Sequence, residues 1–119
     1  MSHFRKILVW QKSISLVTKV YKVTRTFPKE ETFGLTSQIR RSSVSIPSNI
    51  AEGSGRESNK DFLRFLYISL GSLFEMQTQL EIAKNIIYIN EEEFNLLYED
   101  SREIERMLAS LIRKLKDSI

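Results

Sequence analysis

The chain has 119 residues, which is enough for one domain around a single hydrophobic core and too few for two, so we predict one domain over residues 1–119. Hydrophobic residues make up 41% of the chain and charged residues 28%, with four glycines and two prolines, a composition that argues against a β-sandwich or a disordered linker. Because cysteine is absent, disulfides, thiolate metal sites and cysteine nucleophiles are excluded. The absence of cysteine, of a long apolar run and of a signal-peptide core favours a cytoplasmic location.

The charges are divided unevenly along the chain. The net charge is +3, but residues 1–60 contain 11 Lys and Arg against 4 Asp and Glu, whereas residues 61–119 contain 7 against 11. Such asymmetry indicates either a polyanionic partner or a second protein surface of opposite sign.

The first periodic segment runs from about Ile7 to Phe27 and predicts a helix with a broad apolar side. We expect the helix to end before Pro28, because the residue preceding proline is pushed out of the α region. The predicted core face comprises Trp10, Ile14, Val17, Tyr21 and Thr24, and it is widened by Leu16, Val20, Val23 and Phe27. Basic residues also follow one line along this helix, and they form a basic stripe of Arg5, Lys12, Lys19 and Lys22.

The second segment begins near Thr32 or Leu35 and ends at Gly53-Ser54-Gly55. Its predicted core face comprises Leu35, Ile39, Ser43, Ile46 and Ile50. Pro47 is expected to kink this helix rather than end it, since the periodicity resumes at Ile50. The opposite side carries short polar side chains with one charge of each sign, a polar stripe of Gln38, Arg41, Ser45, Ser48, Asn49 and Glu52.

Two further helices are predicted, each with a start signal. Ser58 followed by Asp61, and Asn90 followed by Glu93, have the spacing of an N-cap with an acid three residues on. The third seam is Phe62, Leu66, Ser69, Leu73, Met76, Leu80, Ala83 and Ile87, and the fourth is Phe94, Leu97, Ser101, Ile104, Leu108, Leu111, Leu115 and Ser118. Gly71 lies in the middle of the third helix, where glycine is less favourable than alanine. It therefore predicts that another group approaches the helix backbone closely there. Short connections make neighbouring helices antiparallel, so the fold class is all-α, an up-down-up-down four-helix bundle.

No residue set in the sequence is typical of catalysis or metal binding. The one histidine, His3, has no partner pattern, and no base is available to activate Ser42, Ser43 or Ser45 as a nucleophile. Acidic residues 91–93 are better explained by helix capping than by a di-metal site, because the Glu-x-x-His pairs of such sites are absent. We therefore predict a protein that is not an enzyme and has no cofactor or metal.

A long central string gives the sequence a family likeness. Residues 34–41 read GLTSQIRR, residues 45–53 read SIPSNIAEG, and Gly71-Ser72 with Glu75 follow, while Val9-Trp10-Gln11-Lys12 and Thr26-Phe27-Pro28 lie upstream. The chain resembles the four helix bundle protein family, also called the 23S rRNA intervening-sequence proteins. The resemblance implies a bacterial bundle that assembles as a homopentamer, and in a related branch, the accessory proteins of diversity-generating retroelements, one that binds nucleic acid and reverse transcriptase.

Two interpretations of function remain open. The first is an oligomer that associates with RNA or DNA, independently of base sequence, through Arg5, Lys12, Lys19, Lys22, Arg40, Arg41, Arg56, Lys60 and Arg64. The second is a protein-interaction or scaffolding oligomer without nucleic-acid affinity, in which the basic first helix pairs with acids of the fourth. In both, the polar stripe of the second helix faces a neighbouring subunit or a notch at Gly71-Ser72 of the third.

Overall fold

The computed structural model describes residues 3–119 and contains four long helices. Helix α1 spans Leu8–Thr24, α2 spans Leu35–Ser54, α3 spans Asn59–Asn85 and α4 spans Glu91–Asp117. Short 3-10 turns at Phe4–Lys6 and Lys29–Glu31 precede α1 and α2, and no strand occurs within the described residues. At 1.5 Å per residue the two longest helices are about 40 Å long, close to the 45 Å length of the 45 × 23 × 20 Å molecule.

The four helices form a closed ring of neighbours. Each helix packs against the next in the chain, and α4 packs back against α1, whereas across residues 3–119 the backbones of the diagonal pairs do not approach within 8 Å (Cα to Cα). The connections are short, so adjacent helices run antiparallel. The all-α, up-down-up-down prediction is confirmed.

The core faces predicted for α2, α3 and α4 are largely confirmed. All five predicted positions of α2 are buried, and so are most positions of the α3 and α4 seams. Towards the end of α4 the buried face moves by one position, because Ile112 is buried while Leu111 is half-buried. That drift is expected of a straight helix, whose 3.6-residue repeat gradually departs from a seven-residue seam.

The core face predicted for α1 is confirmed only in part, at Leu16, Val20 and Thr24. The buried residues are Val9, Ser13, Leu16, Val20 and Thr24. Ile14 and Tyr21, placed on the core face by their apolar character, are 40% and 39% exposed. Ser13 can take a core position because its hydroxyl donates a hydrogen bond of 2.7 Å to the Val9 carbonyl, which satisfies the polar group without another partner.

Helix α2 continues through Pro47, as predicted. The residues on both sides of the proline, Ile46 and Ile50, are fully buried, and Ser69 of α3 donates a hydrogen bond of 2.9 Å to the Ile46 carbonyl. Near its end, α2 approaches α3 so closely that a Cβ atom on Gly53 would lie 2.6 Å from Phe65 Cβ. The α2–α3 contact therefore depends on glycine at this position.

Both predicted N-caps are confirmed. The Ser58 hydroxyl accepts a hydrogen bond from the Asp61 amide at 3.1 Å, and Asn90 forms a reciprocal capping box with Glu93. Helix α3 nevertheless ends before the last position of its seam. Ile87 has a φ of 64° and is 84% exposed, so its predicted core position is wrong.

The end of α3 is a Schellman motif. The Ile87 amide donates to the Lys84 carbonyl at 3.0 Å, and the Tyr88 amide donates to the Ala83 carbonyl at 2.9 Å. This arrangement requires a left-handed residue at position 87, which turns its side chain away from the core. The backbone hydrogen bonds of the cap have outweighed the apolar character of the isoleucine.

Candidate interaction surfaces

The basic stripe of α1 faces the acidic side of α4. Lys19 Nζ lies 2.7 Å from Asp100 Oδ2, and Lys12 Nζ lies 3.3 Å from Glu103 Oε1. These pairs are partly exposed and stabilise the fold by at most about 1 kcal/mol each. They neutralise two of the four stripe residues, whereas Lys22 has no acidic side chain within 4 Å in the described chain.

The other predicted nucleic-acid residues lie on several different surfaces. Arg40 stacks over the Tyr21 ring at 4.5 Å and donates to Thr24 Oγ1 at 2.9 Å, on the α1–α2 side. Arg56 and Arg64 both stack over the Phe65 ring, at 4.7 and 4.8 Å, beside the α2–α3 connection. The structure therefore brings the last two together and separates them from Arg40.

The remaining three basic residues differ in their surroundings. Arg5 lies in the first 3-10 turn, over the rings of Phe4 and Trp10 at 5.6 and 6.0 Å. Lys60 is exposed in the first turn of α3, and Arg41 lines a groove between α2 and α3. The nine predicted residues therefore lie on different elements and have different neighbours within the chain.

A polar groove of about 480 Å³ separates part of α2 from α3. We call it the α2–α3 groove, and it is lined by Gln38, Arg41, Ser42, Ser45, Ser72 and Glu75. Ser45 and Ser72 share a hydrogen bond of 2.8 Å across it, and Asn49 donates to the Ser45 carbonyl at 2.8 Å. Part of the predicted polar stripe thus faces the Ser72 side of α3.

The other members of the polar stripe lie elsewhere. Glu52 is 3.9 Å from Arg56, one turn further along the chain. Ser48 belongs to a second, apolar groove of about 290 Å³ between α1 and α2, which we call the α1–α2 groove. Its lining is Phe4, Trp10, Ile14, Val17, Val44, Pro47, Ser48 and Ala51.

An exposed apolar stripe also follows the outer face of α3. Tyr67, Phe74 and Ile82 recur at seven- and eight-residue spacing and are 47%, 46% and 45% exposed. Gly71 lies between the first two, and apart from its chain neighbours and the adjacent backbone of α3 no atom lies within 4 Å of the position its Cβ would occupy. The close approach predicted at Gly71 is therefore wrong within the chain itself. This stripe was not predicted from the sequence, because the buried seam of the same helix has a stronger periodic pattern.

Hydrogen bonds tie the two connections at one end of the bundle together. The Tyr88 hydroxyl donates to Glu31 Oε2 at 2.9 Å, and the Leu35 amide donates to Glu31 Oε1 at 3.0 Å. The Leu35 amide, followed by the Tyr88 hydroxyl, lowers the pKa of the Glu31 carboxyl below its ordinary value. The same carboxylate raises the pKa of Tyr88.

Metal-binding clusters and membrane-spanning helices were sought among the described residues. Within residues 3–119, no group of three or more His, Cys, Asp or Glu side chains is placed to hold a metal ion. None of the four helices is long and apolar enough to cross a membrane.

The sequence matches the family described as the 23S rRNA-intervening sequence protein over residues 5–110. The chain belongs to this family. It is also similar to a crystal structure of a protein with unknown function from the S23 ribosomal protein family of Bacteroides thetaiotaomicron. The two share 31% sequence identity with a TM-score of 0.80, over 88% of this chain and 98% of that one. No functionally curated protein matches the sequence.

The match confirms the resemblance drawn from the central string. In the structure, the residues that carry it occupy α2 and the middle of α3, so they meet across the α2–α3 groove.

Proposed function

We propose that the protein is a non-enzymatic bundle that assembles with copies of itself, and that the assembly is its functional form. The observation that carries the proposal is the exposed apolar stripe of α3, Tyr67, Phe74 and Ile82. A helix facing only water normally carries charged and polar residues on that side. Several large apolar side chains exposed along one side of a helix are typical of an interaction surface.

The glycine within the stripe supports the same proposal. Glycine in a helix interior costs about 1 kcal/mol relative to alanine, and nothing in the chain requires it at position 71. A neighbouring subunit that packs closely against α3 supplies a reason for the glycine, because the missing side chain lets a second helix approach.

The α1–α2 groove is the complementary surface that we propose for the stripe. This groove is apolar. Phe74 and Ile82 of the stripe line a third groove on the α3–α4 side of the bundle. The α1–α2 groove lies on the opposite side of the ring of helices. A contact between two different surfaces is heterologous, and repeating it closes into a ring or continues as a filament. The homopentamer implied by the family resemblance is one such ring.

The assembly is tested by replacing apolar stripe residues with glutamate. We expect the wild-type protein to sediment at several times 13.9 kDa at micromolar concentration, and Phe74→Glu and Ile82→Glu to sediment as monomers with unchanged helical circular dichroism. Leu96→Glu is the matched control, since Leu96 is 63% exposed but lies on α4, outside the stripe. A monomeric wild type, or an assembled Phe74→Glu variant, would contradict the proposal.

Association with RNA or DNA is a second candidate function. It is supported by cations that no acidic side chain neutralises within residues 3–119, notably Lys22 and Lys60. A ring repeats these cations once per subunit, and such multivalency raises the affinity for a polyanion without new contacts. The surroundings of Lys12 and Lys19 weaken their contribution, because each already has an acidic partner.

Binding of unrelated RNA and DNA oligomers across a salt series tests this candidate. Phosphate contacts release counterions, so affinity should fall steeply with salt. Lys22→Glu with Lys60→Glu should weaken binding more than Lys12→Glu with Lys19→Glu, which also removes cations but breaks existing pairs. Binding that ignores salt and substitutions would refute the electrostatic account, and no binding at low salt would leave assembly as the function.

A further inference from the structure

The α2–α3 groove contains two opposite charges that do not pair with each other. Arg41 enters it from α2 and Glu75 from α3, and no N–O distance between them is within 4 Å. In residues 3–119 the Arg41 guanidinium has no hydrogen-bond or ion-pair partner. Glu75 accepts only a long hydrogen bond of 3.4 Å, from Gln79 Nε2. Both charges are therefore available to a molecule in the groove.

Three serines of the groove lining have hydrogen bonds within the chain, one of them to the buried Gln79. Ser42 and Gln79 are 3% and 5% exposed, and the Ser42 hydroxyl lies 2.7 Å from Gln79 Oε1. Ser45 and Ser72 form the adjacent hydrogen bond across the groove. Buried polar groups are costly unless they are paired, and two helices can pack with apolar side chains alone. A hydrogen-bonded polar lining in an open, charged groove is better suited to holding a polar ligand than to packing.

We propose that the α2–α3 groove binds a small zwitterion of the free amino acid class. The ligand carboxylate contacts the Arg41 guanidinium, whose fork of donors suits a carboxylate, and the ligand ammonium contacts the Glu75 carboxylate. A simple anion would face repulsion from Glu75, and a simple cation would face repulsion from Arg41. The volume of about 480 Å³ lies within the range of about 300–1,000 Å³ usual for small-ligand sites.

The lining also restricts the ligand side chain. Apart from the aliphatic parts of the two charged residues, the groove presents hydroxyl and amide groups from Gln38, Ser42, Ser45 and Ser72. We therefore expect amino acids with small or polar side chains to bind better than those with large apolar ones, which would displace water from the polar lining without offering it a hydrogen bond.

The test is isothermal titration of the wild-type protein with individual amino acids, together with chemically blocked forms of the best binder. The amide removes the carboxylate charge and the N-acetyl form removes the ammonium charge, and each is expected to weaken binding at least tenfold. Arg41→Gln and Glu75→Gln should do the same, whereas Arg113→Gln on the exposed end of α4 should leave binding unchanged. Sedimentation of the same samples reports whether assembly is preserved.

Several outcomes would overturn the proposal. One is that no amino acid binds at concentrations up to about 10 mM. Another is that the blocked forms bind as tightly as the free amino acid. The third is that the Arg41→Gln and Glu75→Gln variants bind as tightly as the wild type. If the wild type assembles yet binds none of the amino acids, the groove is not a ligand site while the assembly proposal stands. If binding persists in monomeric Phe74→Glu, the groove acts without assembly.

Discussion

Replacing Ile87 with glycine is expected to stabilise the protein, although the change removes a large apolar side chain. Ile87 has a φ of 64°, in the left-handed region where an L-residue pays about 1–2 kcal/mol. Because its side chain is 84% exposed, truncation forfeits little buried surface. Against these terms stands the greater freedom of glycine in the unfolded chain, a cost of roughly 0.5–1 kcal/mol. The net expectation is stabilisation by about 0.5–1 kcal/mol.

The neighbouring residue provides a matched control. Ile86 has the same side chain, but its φ is −96°, which any residue adopts without strain, and it is 46% exposed. Ile86→Gly should therefore destabilise the protein by about 0.5–1 kcal/mol or more, since nothing offsets the entropy of glycine. Urea unfolding at one protein concentration measures both variants. If Ile87→Gly lowers the urea midpoint as much as Ile86→Gly does, the strain argument is wrong.

Three further predictions concern the fold. Gly53→Ala should lower stability by about 1–3 kcal/mol in urea, because the new Cβ would lie 2.6 Å from Phe65 Cβ; an unchanged midpoint would show that α2 and α3 can separate freely. Asn90→Ala should cost about 1 kcal/mol by removing the capping box, and a stability equal to wild type would refute that role. Glu31 has a lowered pKa, so its contribution to stability exists above pH 4.5 and is lost as the pH falls through the folded value. Tyr88→Phe should reduce this acid sensitivity, and an identical stability–pH curve would contradict the coupling.

The sequence allowed α2 and α4 to be predicted well because each has one narrow apolar face and a clear end signal. Asn90 with Glu93 defines the start of α4, and Gly53-Ser54-Gly55 defines the end of α2. The buried face of α1 was harder to predict, because the apolar residues of this helix cover more than half of its circumference. The buried face of α1 is determined by its packing against both α2 and α4. As a result Ser13 is buried, whereas Ile14 is 40% exposed.

The interaction surfaces were harder to predict than the fold, since they depend on which surfaces remain uncovered. A glycine in the middle of a helix, such as Gly71, is unusual and predicts a close neighbour. The sequence pattern does not tell whether that neighbour would come from the same chain, and within the chain there is none. The polar stripe of α2 was recognised too, whereas the groove that it forms also needs Ser72 and Glu75 from α3. A groove between two helices is a property of their relative rotation, and a periodic pattern fixes the rotation of each helix only approximately.

The basic stripe shows how closure of the bundle changes the meaning of a charge pattern. Lys12 and Lys19 belong to the half of the sequence rich in cations, yet closure of the ring brings them against Glu103 and Asp100 from the acidic half. Such exposed pairs add little to stability. They matter more for binding, because a lysine that must leave a carboxylate to reach a phosphate gains less than a free one. Each phosphate contact contributes about 0.9 to the slope of log affinity against log salt. The slope of any nucleic-acid complex should therefore reflect residues such as Lys22 and Lys60 more than the full stripe.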